Sequence, residues 1–186
     1  MDEKHLDYIL RRINLTDANT PFMTSKEEFN TSSNTLKEFV NDDKDCYENG
    51  NFITYIFGKE DKVLGITRMK SISFEEFKDE VVKREYFKVD EIEQYTELQV
   101  IYMSRAGVTK EIDGLGFGTM LRAFLDAHAR SIYDNFLLYA LINEVTFKSM
   151  LKRFGNEFFK LYKVSEKMHD ERWNSYWVIL RVFNRP

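Results

Sequence analysis

Residues 98–119 read Leu-Gln-Val-Ile-Tyr-Met-Ser-Arg-Ala-Gly-Val-Thr-Lys-Glu-Ile-Asp-Gly-Leu-Gly-Phe-Gly-Thr, and this stretch decides the fold. Its first half, Leu98 to Val108, is rich in β-branched and apolar residues and predicts a central β-strand. Its second half has glycine at positions 114, 116 and 118, directly before a helical pattern. Glycine lets the backbone approach a ligand, and a helix N-terminus attracts anions. The stretch predicts either a phosphate-binding strand–loop–helix unit or a tight connection without a ligand.

The spacing of the three glycines excludes two common nucleotide-binding motifs. A Walker A loop ends in Gly-Lys followed by Ser or Thr, whereas Gly118 is followed directly by Thr119. The dinucleotide fingerprint needs a third glycine three positions after the second, whereas Gly116 and Gly118 are two positions apart. A phosphate site in this loop would therefore be of a different type.

Segments on both sides of this stretch have the patterns of short helices and strands. Upstream, they predict a helix from Thr35 to about Tyr47, a hairpin of 52–57 with 63–69, and a helix from Ser73 to near Tyr86. Downstream, they predict a strand at 136–141, a helix at 146–154 that ends at Gly155, a strand at 176–183, and a long helix whose core face carries Met120, Leu121, Phe124, Leu125 and Ile132. The predicted fold class is α/β (α+β), with a mixed central β-sheet flanked by helices on both faces.

The composition is that of one folded domain. The chain has 186 residues, 43% of them apolar, and no Gly/Ser-rich linker, so residues 1–186 are expected to form a single domain. It has no run of about 18 apolar residues and no signal-peptide pattern, which predicts a cytoplasmic protein without a membrane partner. Cys46 is expected to be a buried thiol, and the three histidines are too scattered to bind a metal.

The net charge of -4 is unevenly distributed. Residues 148–186 carry nine Lys/Arg against four Asp/Glu, whereas residues 1–147 carry 18 against 27. The basic part is consistent with an anionic ligand or with an ordinary solvated face. Nucleic-acid binders usually have a strongly basic surface, so the overall charge argues against tRNA as a partner.

The glycine loop resembles the acetyl-CoA loop of the GNAT superfamily of N-acetyltransferases, whose pattern is Gln/Arg-x-x-Gly-x-Gly/Ala at a strand–helix junction. Gly116-Phe117-Gly118 matches the Gly-x-Gly part, and Asp113 departs from the Gln/Arg position. Residues 103–108 look like the strand that this family places before the loop. Residues 29–39 and the hairpin with Lys62-Val63-Leu64-Gly65 look like the first half of toxin-type and phage members. The resemblance extends over most of the chain.

The resemblance implies a GNAT-like fold, acetyl-CoA as the cosubstrate and no metal. It implies that the backbone N–H of Val108 polarises the thioester carbonyl. It also places Asn143 near the cofactor, although Asn143 is equally well interpreted as the cap of the helix at 146–154. The cofactor-binding residues that it implies are Val108, Asp113, Gly114, Leu115, Gly116, Phe117, Gly118, Thr119 and Asn143.

Proton transfer has no obvious residues in this sequence. The family often uses a tyrosine in the helix after the fifth strand, and this chain has Met150 or Leu151 at that place. Tyr102 or water is the candidate acid, and Glu97 is the candidate base. Two further tyrosines are interpreted as packed aromatic residues: Tyr139 and Tyr162.

Two functions are therefore predicted. The first is transfer of an acetyl group from acetyl-CoA to a primary amine on a small molecule, a protein or an aminoacyl-tRNA. The second is a catalytically inactive GNAT-fold binding protein, which the missing tyrosine and Asp113 would explain. The aromatic C-terminal strand, with Tyr176, Trp177 and Phe183, suggests the edge of a homodimer.

Overall fold

The computed structural model of the protein describes residues 9–13, 29–31, 36, 52–59, 62–166, 168–170 and 174–184. The chain divides into two compact units. The first unit comprises residues 1–70 and 104–128, and the second comprises residues 71–103 and 129–186. The expectation that residues 1–186 form a single domain stays a prediction.

The described residues include strands β1 to β8 and helices α1 to α5. The strands span Ile9–Ile13, Ile53–Lys59, Lys62–Ile72, Gln99–Val108, Phe136–Asn143, Lys163–Val164, Met168–Asp170 and Asn174–Phe183. The helices span Phe74–Lys83, Val89–Ile92, Phe117–Ile132, Glu144–Phe154 and Phe158–Leu161. Short 3-10 helices span Glu93–Tyr95, Lys110–Ile112 and Gly155–Glu157. Of the helix predicted from Thr35 to Tyr47, only Leu36 lies within the described residues, where it is helical; Cys46 lies outside them.

In the first unit the strand order is β1-β2-β3-β4. Strands β1 and β2 pair antiparallel, as do β2 and β3, so the predicted hairpin is confirmed. The hairpin buries aromatic and β-branched side chains such as Phe57 and Ile66. Its register shifts between Phe57 and Gly58, where a β-bulge precedes the turn.

The core of the first unit consists of Phe57, Leu64, Ile112, Phe117 and Leu121. Phe117 and Leu121 belong to α3 and are four residues apart, so they lie on the same side of that helix. The rings of Phe57 and Phe117 are 4.7 Å apart between centroids, which fixes the start of α3 against β2. The loop that precedes α3 is therefore held by buried side chains.

The predicted core face of α3 is wrong at three positions. Met120, Phe124 and Ile132 are 38%, 45% and 51% exposed, whereas Leu121 and Leu125 are buried as predicted. Consecutive helix residues are rotated by about 100°. Because α3 packs through Leu121 and Leu125, Met120 and Phe124, each one position earlier, are turned away from the core. Ile132 is the last residue of α3 and is exposed at the end of the helix.

In the second unit the strand order is β4-β5-β8-β6, and β7 also pairs with β8. Strands β4 and β5 are parallel, with a ladder from Gln99↔Phe136 to Met103↔Ala140. Strand β8 pairs antiparallel with the whole of β5. The sheet is therefore mixed, and the predicted parallel strand and C-terminal strand are both confirmed.

Helices cover both faces of the sheet in the second unit. On one face, the ring of Tyr139 lies 5.2 Å from that of Phe77 in α1. Tyr139 is opposite Leu180 in the ladder, so Trp177, three residues from Leu180, lies on the other face. There Trp177 stacks on Phe147 of α4, with centroids 4.3 Å apart. The predicted arrangement of helices around a mixed sheet is present in this unit.

The helix ends follow local capping rules. The Ser73 hydroxyl accepts a hydrogen bond from the Glu76 N–H at 3.0 Å and caps α1, as predicted. Helix α1 ends at Lys83 rather than near Tyr86, because Glu85 has a φ of 58° and turns the chain. Gly155, with a φ of 53°, ends α4 as predicted. Within the described ranges, the helices are too short or too polar to cross a membrane.

Candidate functional site

The glycine loop in the first unit lies between two buried anchors. Ile112 and Phe117 are 2% and 6% exposed, whereas residues 113–116 are all exposed. The N–H of Leu115 donates to the carbonyl of Ile112 at 3.3 Å, which makes the loop a tight turn. In the sequence, the apolar anchors Ile112 and Phe117 flank four residues that do not pack into the core. The loop backbone is consequently open to a ligand.

The end of β4 fixes the direction of the Val108 backbone. The N–H of Thr109, which has an extended backbone, donates to the carbonyl of Leu64 on β3 at 2.8 Å. Successive N–H groups of an extended chain point to opposite edges. The N–H of Val108 is therefore directed away from β3. The N–H of Lys110 donates to the carbonyl of Asn30 at 2.7 Å, which holds the chain as it leaves the strand.

Gly114 and Gly116 are required by the backbone itself. Their φ angles are 77° and 90°, a region that residues with a Cβ rarely adopt. A Cβ added at either position would meet nothing within 4 Å. The two glycines thus produce the turn and leave the space around it empty.

Gly118 has no such requirement in the described part of the chain. It lies in the first turn of α3, has no positive φ, and an added Cβ would meet nothing within 4 Å. Glycine inside a helix costs about 0.5–1 kcal/mol relative to alanine. A glycine that neither the backbone nor a neighbouring side chain requires fits a position where a ligand approaches the backbone.

The start of α3 offers backbone donors beside these glycines. The N–H of Met120 donates to the carbonyl of Gly116 at 3.0 Å, which is the first turn of the helix. The first N–H groups of a helix have no acceptor within the helix, and the helix dipole adds positive partial charge there. This end of α3 therefore has the donors and the polarity that a phosphate group needs.

Asp113 adds a negative charge to the loop. Its Oδ1 accepts a hydrogen bond from the Gly114 N–H at 2.9 Å, and the residue is exposed. The carboxylate thus occupies one of the loop donors. The departure from Gln/Arg at this position therefore places a negative charge beside the backbone donors of the loop.

The remaining predicted residues lie in the second unit. Glu97 is exposed in the turn before β4. Tyr102 is half-buried and stacks on Tyr139, with ring centroids 4.9 Å apart. Six residues of strand separate Tyr102 from Val108, which is about 20 Å in an extended chain. The roles of Glu97 and Tyr102 stay predictions.

Asn143 ends β5 and caps α4. Its side-chain oxygen accepts a hydrogen bond from the Thr146 N–H at 2.9 Å, so the capping interpretation is confirmed. The side-chain NH₂ group remains a donor on an exposed residue. Of the two residues at the place of the family's tyrosine, Met150 is buried and Leu151 is half-buried.

The two other tyrosines are packed aromatic residues. Tyr139 is fully buried, and its hydroxyl makes no hydrogen bond with any described residue. Burial, with a smaller contribution from Glu80, raises the pKa of Tyr139 far above its usual range. The Tyr162 hydroxyl accepts a hydrogen bond from Nη1 of Arg181 at 3.1 Å, and its ring stacks on Phe158.

Two glycines whose packing shapes the site were not singled out from the sequence. A Cβ on Gly65 would lie 2.9 Å from Cδ1 of Leu121 and 3.2 Å from Cγ1 of Val108. A Cβ on Gly107 would collide with Leu36. The signal for both was available, since a glycine inside a strand often marks a close approach. Among the described residues, no three His, Cys, Asp or Glu side chains are grouped to hold a metal ion.

Comparisons with known proteins rest on structure, because no family model and no curated protein matches the sequence. The structure of AtaTR bound with acetyl-CoA is 14% identical, has a TM-score of 0.57 and covers 92% of each chain. A structure described as a bacterial toxin is 12% identical, with a TM-score of 0.63, and covers 94% of this chain and 90% of that one. NAA60 from Arabidopsis thaliana in complex with acetyl-CoA is 13% identical, with a TM-score of 0.56, and covers 95% of this chain and 98% of that one.

These neighbours have the GNAT fold, so the fold predicted from the glycine loop is confirmed. The match extends over most of this chain and of each neighbour. Identities of 12% to 14% establish the fold. The activity has to be argued from the residues of this chain.

Proposed function

We propose that this protein is an acetyl-CoA-dependent N-acetyltransferase that acts on a primary amine. The segment from Asp113 to Thr119 binds the pyrophosphate of acetyl-CoA through its backbone N–H groups. Gly118 carries the proposal, because the described chain gives no steric or conformational reason for glycine there. A cofactor phosphate against the start of α3 supplies that reason. AtaTR and NAA60, which share the fold, are both known bound to acetyl-CoA.

The N–H of Val108 is the donor that polarises the thioester carbonyl. It is directed away from β3, so the β2–β3–β4 part of the sheet does not use it. The β4–β5 ladder runs to Met103, and Val108 lies five residues further along β4. A backbone donor fixed in a strand is preorganised, which is what stabilisation of the developing oxyanion requires.

The chemical step needs few side chains. The amine nitrogen attacks the carbonyl carbon of the thioester, the C–S bond breaks, and the amide forms as the nitrogen loses a proton. The departing thiolate accepts a proton to give the free thiol of CoA. Leu151 and Met150 cannot donate a proton, so we propose that water supplies it. Glu97 is the proposed carboxylate that accepts the amine proton through water.

The acceptor is an amine on a small molecule, a protein or an aminoacyl-tRNA. The side-chain oxygen of Asn143 accepts from the Thr146 N–H, and its NH₂ group is the donor that we propose contacts the cofactor. A tRNA acceptor would bind the basic C-terminal fifth of the chain, which has nine Lys/Arg residues and four Asp/Glu residues. Salt-sensitive binding of tRNA would support that version, and its absence would remove it.

Titration calorimetry with acetyl-CoA tests the proposal. The wild-type protein should bind acetyl-CoA, and Gly118→Val should lose at least tenfold in affinity while remaining folded, since the new side chain meets open space. Ala123→Val places the same side chain at an exposed position of α3 and should bind normally. A wild-type protein that binds neither acetyl-CoA nor CoA would end the proposal.

A second candidate function is a GNAT-fold binding protein without catalysis. Two observations favour it: the absence of a proton donor at Met150 and Leu151, and the Asp113 carboxylate on the Gly114 N–H. Amine-dependent release of the CoA thiol from acetyl-CoA, measured with a thiol reagent, would eliminate it. Binding of acetyl-CoA without such release for any amine would favour it.

A further inference from the structure

Two arginines of the second unit lie against the same aromatic ring. The guanidinium carbon of Arg130, in the last turn of α3, is 4.4 Å from the ring centroid of Phe183. The guanidinium carbon of Arg181, on β8, is 4.3 Å from the same centroid. The two guanidinium carbons are therefore no more than about 9 Å apart, because both are within cation–π range of one ring. Phe136 stacks on one face of the Phe183 ring, so both guanidinium groups approach the ring from the remaining side, where one oxyanion can contact both.

Neither arginine is neutralised within the described part of the chain. No ion pair between a carboxylate and Arg130 or Arg181 occurs there. By contrast, Lys148 and Lys160 each contact a glutamate at 3.1 and 2.7 Å. Two adjacent positive charges without a counter-charge produce a local field that favours an anion.

A hydroxyl lies beside this pair. Nη1 of Arg181 donates to the oxygen of Tyr162 at 3.1 Å. The tyrosine oxygen is the acceptor in that bond, so its own O–H proton is available to a further acceptor. Tyr162 is buried and stacked on Phe158, so the hydroxyl is fixed in position. The Tyr162 hydroxyl is therefore a third donor group, in contact with the guanidinium of Arg181.

The aromatic ring keeps the guanidinium groups in place. Phe183 is 4% exposed and stacks on the fully buried Phe136 at 4.8 Å. A guanidinium held against a rigid ring loses less side-chain entropy on binding than a free arginine does. Arg130 is exposed and Arg181 is half-buried, so a ligand can reach them from solvent.

We propose that Arg130, Arg181 and the Tyr162 hydroxyl form a binding site for a phosphate group. A phosphate offers several oxygens at tetrahedral angles and nearly two negative charges at pH 7, which matches two guanidinium groups and one hydroxyl. A carboxylate has two oxygens and one charge, and would leave one donor group unused. We call this set of three residues the arginine site.

The arginine site is separate from the proposed acetyl-CoA loop. Gly118 belongs to the first unit and Arg130 to the second, and the two proposed sites share no residue. The result for one proposed site therefore does not decide the result for the other. A ligand with a phosphate at the arginine site would be a second ligand of the protein.

An NMR titration of the full-length protein with inorganic phosphate, at constant ionic strength, tests the arginine site. Saturable shifts should appear at the amides of Arg130, Arg181 and Phe183, and they should weaken at least fivefold in Arg130→Gln. Arg181→Gln should have the same effect, and Tyr162→Phe a smaller one. Lys152→Gln, which removes an equal charge from an exposed position of α4, is the matched control and should bind phosphate like the wild type.

Two further titrations define the ligand. A nucleoside 5′-monophosphate that binds at least tenfold more tightly than inorganic phosphate would identify a phosphoester as the ligand, and equal affinity would identify free phosphate. Acetate binding as tightly as phosphate would overturn the assignment, as would shifts that do not saturate or that persist in Arg130→Gln. Shifts at the amides of residues 116–119 report the glycine loop separately, so loss of one site is distinguishable from loss of the other.

Discussion

The Oδ1 of Asp113 accepts a hydrogen bond from the backbone N–H of Gly114 at 2.9 Å, in the loop that is proposed to bind the acetyl-CoA pyrophosphate. The first N–H groups of α3, which begins at Phe117, are the adjacent donors. A carboxylate in this place competes with a phosphate for one donor and repels its charge. If acetyl-CoA binds as proposed, its phosphates therefore have to compete with the Asp113 carboxylate for the Gly114 N–H.

We expect Asp113→Asn to bind acetyl-CoA about three to ten times more tightly than the wild type. The amide oxygen of asparagine can still accept from the Gly114 N–H, whereas the charge repulsion with the phosphates is removed. Calorimetric titration of both proteins measures the change. Asp113→Ala removes the hydrogen bond as well and separates the two effects. Equal affinities of wild type and Asp113→Asn would mean that the carboxylate lies away from the bound phosphates.

Gly65→Ala and Gly118→Ala should change stability in opposite directions. A methyl group on Gly65 would lie 2.9 Å from Leu121, so overpacking should cost about 1–3 kcal/mol. A methyl group on Gly118 meets open space in a helix, so it should add about 0.5–1 kcal/mol. Urea unfolding of the wild type, Gly65→Ala and Gly118→Ala gives the free energy of unfolding of each protein. Destabilisation by Gly118→Ala would mean that the start of α3 is packed.

Removal of the Tyr139 hydroxyl should not destabilise the protein. The hydroxyl is buried without a hydrogen bond among the described residues, and such a group costs about 1–3 kcal/mol of desolvation. We expect Tyr139→Phe to unfold at the same or a higher urea concentration at pH 7. Tyr162→Phe, which loses the bond from Arg181, is the matched comparison and should be less stable by about 0.5–1.5 kcal/mol.

The Tyr139 hydroxyl should also make the free energy of unfolding depend on pH. Burial raises the pKa of Tyr139 above its ordinary value of 10.0, so the folded protein keeps the proton when the unfolded chain has lost it. The stability linked to this group is therefore complete below about pH 10 and decreases as the pH rises further, by up to about 1.4 kcal/mol per unit. Urea midpoints at pH 9 and pH 11 should differ less in Tyr139→Phe than in the wild type. An unchanged difference would place the hydroxyl in contact with solvent.

The fold was predictable because local patterns and tertiary packing agree. The aromatic and β-branched residues of the hairpin, the N-cap at Ser73 and the stop at Gly155 each have a local physical cause, and all three are present. The choice of which apolar residues of α3 are buried was not predictable in this way. Met120 and Phe124 are as apolar as Leu121 and Leu125, and only the direction in which the helix packs decides which of them are buried.

The turn of the glycine loop was predictable, because Gly114 and Gly116 have the positive φ angles that glycine adopts most readily. The N–H direction at Val108 was not predictable, because it follows from the hydrogen bond between the Thr109 N–H and the Leu64 carbonyl. Side-chain roles were less accessible, because they depend on contacts between residues far apart in sequence. The contacts of Phe183 bring Arg130 together with Arg181, about 50 positions later in the sequence, and no short motif encodes them.

If water donates the proton, removing the Tyr102 hydroxyl and introducing a tyrosine at position 151 should have different effects on kcat. A general acid contributes about 10²–10⁴-fold to a rate. Tyr102 is stacked on Tyr139 and is six strand residues from Val108, so Tyr102→Phe should keep kcat within about threefold of the wild type. Leu151→Tyr should instead raise kcat by about tenfold or more, because it places a phenol where the family often has one. Leu151 is half-buried, so the larger ring has room, whereas Met150 is buried and Met150→Tyr should mainly destabilise α4.

Steady-state measurement of CoA thiol release with one amine, across a pH series, distinguishes the outcomes. A rise in kcat for Leu151→Tyr with an unchanged KM for acetyl-CoA would show that proton donation limits the wild-type reaction. Leu151→Phe, which has the ring without the hydroxyl, is the matched control and should behave like the wild type. A loss of more than a hundredfold in Tyr102→Phe would instead identify Tyr102 as the acid and would contradict the proposal that water donates the proton.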